Sequence, residues 1–236
     1  MPRVGVLALQ GDVREHVRAL TALGVEAGPV KSHEQIESID GLVVPGGEST
    51  TIGRLAERFG LIDPLRRRIQ EGMAVFGTCA GMIFLAAGVT EGTQPQLGVL
   101  DIVVRRNAFG RQNDSFEADI PIRGLDEPFH AVFIRAPWVE KTGSGVEVLA
   151  SVDEHPVMVR QGHIYAASFH PELTDDDRVH RMFLDRVATD SEKEPHGRTF
   201  QMGKHQTPQG PPGRGPRQAV RQAGEADRGR RPRRRR

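Results

Sequence analysis

Apolar positions in the first ninety residues fall into two alternating textures. Short β-branched runs at Arg3–Leu9, Val25–Val30, Gly41–Val44 and Ala74–Gly77 have the length and composition of buried strands. Between them the spacing turns helical. Val13, Val17, Leu20 and Leu23 recur on one face, and Gly24 ends the run. Thr50–Phe59 and Ile62–Gln70 also read as helices, the second started by Asp63-Pro64, and Ala80–Ala87 is a short apolar helix. Strands alternating with helices at this spacing predict a parallel, doubly wound sheet. After Gly88 the texture becomes strand-rich, with runs at Leu97–Val104, Phe116–Ile120, Ala131–Ile134, Val146–Val152, Pro156–Arg160 and Ile164–Phe169. Asp175–Val187 then reads as a closing helix, capped by Thr174 and acidic in its first turn. The expected fold class is α/β, a doubly wound, mostly parallel sheet with an antiparallel extension.

Charge divides the chain in two. Of 32 basic and 31 acidic residues, thirteen basic and four acidic ones fall in Ser191–Arg236, giving that segment a net charge of +9 and leaving the preceding residues at −8. The segment holds only three large apolar residues, Phe200, Met202 and Val220, among many Gly, Pro, Gln and Arg. It cannot bury enough surface to offset ordering entropy, so the sequence predicts a domain over 1–190 and a disordered basic tail over 191–236. The single Cys among 236 residues excludes a disulfide framework within the chain. The start lacks the apolar run of a signal peptide, and Met82–Val89 is too short to span a membrane. These features point to a soluble, cytoplasmic domain.

Ligands of open α/β sheets bind at the carboxyl ends of the strands, and three sharp features fall there. Gly77-Thr78-Cys79-Ala80-Gly81 is the thiol counterpart of a nucleophile elbow. Such a turn lifts the sulfur above the sheet at a helix N-terminus and lets the next N–H, from Ala80, face a developing oxyanion. A lone Cys is equally at home as a small buried hydrophobe. His170-Pro171-Glu172 follows the last strand run and supplies a base with a carboxylate to orient its ring, Glu172 reaching back along an extended segment. As an isolated motif it fits a rigid helix-start turn as well. The other eight histidines read as surface or packing residues. Pro45-Gly46-Gly47-Glu48-Ser49-Thr50 is a strand-to-helix loop that offers backbone N–H groups to a ligand. It lacks the phosphate-loop pattern, and Ser49 or Thr50 also suits a plain helix cap.

Together with VLALQGDVREH, RRNAFGRQNDSFEAD and FIRAPW, these motifs resemble the class I, triad-type glutamine amidotransferases. Within that class they are similar to the branch that serves as glutaminase subunits of pyridoxal 5′-phosphate synthases. The resemblance spans about residues 3–188. It implies that Cys79 is the nucleophile, His170 the general base and acid, and Glu172 its orienter. It further implies a glutamine pocket at Gly47, Glu48, Ser49, Arg106, Ile134 and Arg135, and an oxyanion hole involving Gly47, Ala80 and Gln10. The implied reaction is hydrolysis of L-glutamine to glutamate and ammonia without metal or cofactor. The ammonia passes to a (β/α)8 synthase subunit that makes pyridoxal 5′-phosphate from ribose 5-phosphate and glyceraldehyde 3-phosphate. The resemblance also implies that the free glutaminase is nearly silent until the synthase docks and reshapes the Gly46-Gly47 loop.

On their own, Arg106 reads equally as a solvated charge beside Arg105, and Arg135 as half of a surface ion pair. Asn113 stands where the family carries an apolar residue, and the tail has no counterpart in the family. Two other functions remain open at this point. One is a glutaminase serving a different synthase. The other is a non-catalytic regulatory or nucleic-acid-binding protein on the same fold, in which the arginine-dense end alone would bind nucleic acid. An intact Cys79, His170 and Glu172 argues against the latter.

Overall fold

The computed structural model describes residues 1–109 and 115–191. Asn113 and nearly all of the basic tail therefore lie outside the described residues. The elements run β1 (Arg3–Leu7), α1 (Val13–Ala22), β2 (Glu26–Val30), α2 (His33–Glu37), β3 (Gly41–Val44), α3 (Ser49–Arg58), α4 (Ile62–Gln70), β4 (Ala74–Thr78), α5 (Ala80–Leu85) and β5 (Ala86–Val89). There follow β6 (Leu100–Arg105), β7 (Ser115–Ile120), β8 (Phe129–Ile134), β9 (Trp138–Thr142), β10 (Glu147–Val152), β11 (His155–Gln161), β12 (Ile164–Ala167) and α6 (Arg178–Ser191).

Seven strands form the main sheet in the order β10-β11-β12-β4-β3-β1-β2. The five from β12 to β2 are parallel, and β11 and β10 extend them antiparallel. The expected architecture is present. Pro29, which has no N–H for a ladder, sits in the edge strand β2. A three-stranded sheet, β5-β6-β9, and a β7-β8 hairpin complete the molecule.

Alternation along the central strands sends side chains to two cores. Leu42, Val44 and Val75 join Ile52 and Ala56 of α3, Leu65 and Ile69 of α4, and the whole of α5 on one face. Val43, Ala74 and Phe76 join Leu20 of α1, Phe183 and Val187 of α6, and Phe129 and Phe133 of β8 on the other. Both faces of the parallel strands are thus covered, which is why their sequences read as nearly unbroken apolar runs.

Several segments depart from the sequence expectation. α2 and β9 form where the sequence marks no element. The helix predicted to Ala87 ends at Leu85, because Ala86–Val89 pairs in parallel with β6. The closing helix begins at Arg178 instead of Asp175 and has no acidic residue in its first turn. Thr174 instead closes a single 3-10 turn at Pro171–Leu173, donating its hydroxyl to the Pro171 carbonyl at 3.1 Å. The Asp176 carboxylate accepts from the Arg178 N–H at 3.1 Å and so takes the capping role expected of Thr174.

The register fixes where the loops meet. Thr78 pairs with Ala167, and Val44 pairs with Gly77, so β3, β4 and β12 end side by side. The segments that follow them carry Gly46-Gly47, Cys79 and His170. β1, paired in parallel with β3, ends at the same rim and leads to Gln10 and Asp12.

Candidate active site

Cys79 occupies a strained backbone position, φ 47° and ψ −104°, between β4 and α5. For a residue with a Cβ this conformation is costly, and it persists only where the surroundings enforce it. The enforcement is visible. Cys79 N–H donates to the Ala167 carbonyl at 2.8 Å. A Cβ on Gly77 would lie 2.7 Å from the Gly81 backbone carbon, and one on Gly81 would run into the Val44 carbonyl. The two glycines of the elbow therefore serve close packing, and the unusual dihedral falls on the cysteine itself. The sulfur lies 3.9 Å from the Ile134 carbonyl oxygen. Ala80 opens α5, where the first backbone N–H groups have no intrahelical partner. At six residues that helix has little macrodipole, so the charge beside the sulfur comes from a side chain.

That side chain is His170, buried at 4 % exposure. Its N–H backbone group donates to the Val132 carbonyl at 2.9 Å, which ties the loop after β12 to β8. Its Nδ1 donates to Glu172 Oε1 at 2.7 Å, leaving the other ring nitrogen to serve the sulfur. Burial opposes the charged imidazolium. Hydrogen bonds to Cys79 and Glu172 outweigh that penalty and hold the ring's pKa up at about 10. Burial also pushes the Glu172 carboxyl up, and the hydrogen bond with His170 pulls it part of the way back. Glu172 reaches the ring from a 3-10 turn, not from the extended segment the sequence suggests. Asp12 Oδ2 lies 3.5 Å from His170 Nδ1 as a second, half-exposed carboxylate. Asp12, His170 and Glu172 present atoms within 4.8 Å of one another, a spacing that would suit a cation. The short bond from Nδ1 to Glu172 already uses the nitrogen that would bind one, and the group reads as a hydrogen-bonded relay.

The facing side is built from loops. Glu48, not Ser49 or Thr50, caps α3, accepting from the N–H groups of Thr50 at 3.0 Å and Thr51 at 2.7 Å. Its burial would raise the carboxyl, but hydrogen bonds from Thr51 and Thr50 bring it down to about 2. The Glu48 N–H donates to Gln10 Oε1 at 2.6 Å, across the gap between the loops after β1 and β3. Gly46 packs against the His170 ring, where a Cβ could not fit, and Gly47 has a positive φ of 148° beside Gln10. Arg106 donates to Glu48 Oε1 at 3.4 Å and to Gln94 Oε1 at 3.3 Å. Arg135, exposed and with φ 44°, follows Ile134 at the end of β8. The structure thus brings Cys79, His170 and Glu172 to one point, with Gly46, Ala80 and Ile134 around it, and gathers Gln10, Gly47, Glu48, Ser49 and Arg106 into one loop cluster.

Two further sets of residues take part that the motifs do not flag. Gln94 Oε1 accepts from Ser49 Oγ at 3.2 Å and Thr50 Oγ1 at 3.3 Å as well as from Arg106, so one amide ties the start of α3 to the arginine. Its buried Nε2 has no hydrogen-bond partner among the described residues. His16 and His180, expected to be surface or packing residues, are instead buried in polar contacts behind Glu172. His163 Nε2–H donates to the Ile69 carbonyl at 2.7 Å, and His155 stacks on Trp138.

Known proteins match this chain over nearly all the described residues. A pyridoxal 5′-phosphate synthase subunit PdxT of Parafrankia sp. (strain EAN1pec) is 62% identical over 192 residues, covering 80% of this chain and 95% of that protein. The protein of the same description from Frankia alni is 60% identical over 189 residues, covering 79% of this chain and 95% of its own length. A crystal structure of a glutamine amidotransferase superposes with a TM-score of 0.76 at 56% identity, over 78% of this chain and 98% of that one. The model of the SNO glutamine amidotransferase family matches residues 6–189, which include every loop of the site. On the match of both sequence and geometry, the chain belongs to the SNO glutamine amidotransferase family.

Proposed function

We propose that this chain is the glutaminase subunit of a pyridoxal 5′-phosphate synthase, hydrolysing L-glutamine at Cys79 and delivering ammonia to a (β/α)8 synthase subunit. The observation that carries the reading is the convergence of the strained Cys79 elbow with a buried His170–Glu172 pair. The same arrangement occurs in a chain about 60% identical to proteins named as subunits of that synthase.

The chemistry follows from the geometry. The Cys79 thiolate attacks the side-chain carbonyl carbon of glutamine. The oxyanion faces the Ala80 N–H at the start of α5 and an N–H from the Gly47 loop, one such donor contributing roughly 3–4 kcal/mol. The His170 imidazolium gives its proton to the departing nitrogen, the carbon–nitrogen bond breaks, and ammonia leaves a γ-glutamyl thioester. Neutral His170 then takes a proton from water as the water attacks the thioester. Glutamate departs, and the thiolate and imidazolium are restored. Glu172 keeps the ring's Nδ1 protonated throughout. Arg106 and backbone N–H groups suit the substrate carboxylate, and Glu48 suits its ammonium.

The loop geometry supports activation by the partner. The Glu48 N–H is engaged by Gln10, so the recognition loop is held by a side chain that a docking protein can displace. A hollow of about 460 Å³ lies beside Gln10. It is lined by Leu9, Val13, Val17 and Pro29, with Arg14 and Lys31 among its walls. No described helix is long and apolar enough to cross a membrane, and a working free thiol suits the cytoplasm, where we place the reaction. The catalytic unit is residues 1–190, and 191–236 is an appendage without a part in the chemistry.

Ammonia release from glutamine, measured with and without the cognate synthase subunit, tests the reading. Release that rises strongly on adding the synthase is expected. No release in either case would overturn it.

A further inference from the structure

Glu172 is 2 % exposed and uses Oε1 on His170, which leaves Oε2 buried with no well-aligned hydrogen bond. A carboxylate with one bare oxygen in such a place drifts toward its neutral acid, and a neutral Glu172 no longer holds the His170 ring by charge. The group facing Oε2 is His16 Nε2, at 3.3 Å. The same nitrogen is 3.1 Å from Thr78 Oγ1, and His16 Nδ1 is 3.1 Å from His180 Nε2. His16, Thr78 and His180 are all buried and come from α1, β4 and α6, so three elements converge behind the triad.

The tautomers follow from the contacts. If His16 carried its proton on Nδ1, its Nε2 lone pair would face the Glu172 carboxylate, and His180 would be left with an unpaired buried N–H at Nδ1. With the proton on Nε2, that N–H faces Glu172 Oε2 and Thr78 Oγ1, and Nδ1 accepts from His180 Nε2–H. The partnerless nitrogen of His180 is then only a lone pair. We infer that His16 is a positioning residue for glutamine hydrolysis: its Nε2–H, locked in place by His180, supports Glu172 Oε2 and keeps that carboxylate ionised so that Oε1 can hold the His170 ring. The inference rests on the glutaminase reading above.

The surrounding charges are consistent with it. Besides His16, Glu172 faces His170 and Asp12, and the Asp12 charge pushes it further toward the neutral acid. His16 is held well below the usual histidine range by burial, with the His180 and His170 charges adding to the effect. His180 is lowered by burial to about 4, although Asp177 pulls it upward. Both rings are therefore neutral near pH 7, each with a single N–H to give.

The test compares His16→Leu, His16→Gln and His180→Phe in the complex with the cognate synthase, reading kcat, KM and the pH profile of glutaminase turnover. His16→Leu is expected to lower kcat about tenfold, a part of the ~10²–10⁴ that a positioned acid–base group supplies. KM should stay within about twofold, and the acid limb should move up by about one pH unit as Glu172 protonates more readily. His16→Gln, whose Nε2 donor can occupy the same place, should return the limb toward its wild-type position. An unmoved limb in His16→Leu, or equal impairment of His16→Leu and His16→Gln, would overturn the inference in favour of a packing role. If His16→Leu does not fold, His180→Phe decides, because its ring keeps the volume beside Phe76. A raised limb there supports the lock, and an unchanged limb overturns it. An inactive wild-type complex would instead overturn the glutaminase reading and this inference with it.

Discussion

The two walls of the site are built on different principles. The wall of Cys79, His170 and Glu172 is set by strand register and backbone hydrogen bonds, with His170 and Glu172 almost wholly buried. The opposite wall, of Gln10, Glu48 and Arg106, is exposed or half-buried and is held by side-chain contacts between loops. A sheet edge fixes geometry to a fraction of an ångström, while loop clamps can be exchanged for contacts with a partner. On the proposed reading, the chemistry is preorganised in the chain itself, and recognition is the part left open to control.

The comparison can be broken or sharpened by substitution. Cys79→Ala should have the largest effect, lowering glutaminase turnover at least about 10³-fold while the complex with the synthase still forms, as checked by co-elution. Retained turnover would remove the nucleophile from this wall. Gln94→Leu should act on the other wall. With its ties to Ser49, Thr50 and Arg106 gone, KM for glutamine should rise about tenfold and kcat should change little. A fall in kcat with KM unchanged would mean the two walls are not separable.

A third effect concerns stability. His180 has a folded pKa near 4 against an ordinary 6.5, so below pH 6.5 the unfolded chain binds a proton that the folded chain does not. Stability is lost as pH falls from 6.5 toward 4, by at most about 1.4 kcal/mol per pH unit for this group, and the lowered His16 adds to the same slope. His170 has the opposite sign, its contribution being present below 6.5 and lost as pH climbs through about 10. Thermal melts between pH 4 and 7 should show Tm falling on the acid side, and His180→Phe should flatten that fall. The smallest effect expected is that of removing residues 192–236, which should leave Tm and turnover of the complex unchanged. A clear drop in either would give the appendage a role in one of the walls.

Much of this was legible in the sequence where a single local cause decides the outcome. Gly41–Val44 and Ile62–Gln70 fold over the residues that their apolar spacing marks. The elbow and His170-Pro171-Glu172 stand out because each follows a strand run, and parallel register brings such loops together. Ala86–Val89 was not legible, since its Ala-rich composition favours helix and only pairing with β6 makes it a strand. His33–Glu37 has too few residues to show a period, although Ser32 and Gln35 form a capping box that marks its start. His16 was hidden by its own position. It shares the buried stripe of α1 with Leu20, and nothing nearby in sequence reveals that Thr78, Glu172 and His180 lie across from it. Gln94 sits in the loop before β6, and its role depends on three partners distant in the chain.

The central claim is that the Cys79 sulfur, activated beside His170, attacks the glutamine carboxamide. Labelling the synthase-bound protein with a diazoketone analogue of glutamine and mapping the modified peptide tests it most directly. One label per chain on Cys79, blocked by glutamine and much slowed in His170→Asn, is the predicted result. Labelling elsewhere, or labelling of Cys79 at an unchanged rate in His170→Asn, would contradict the account.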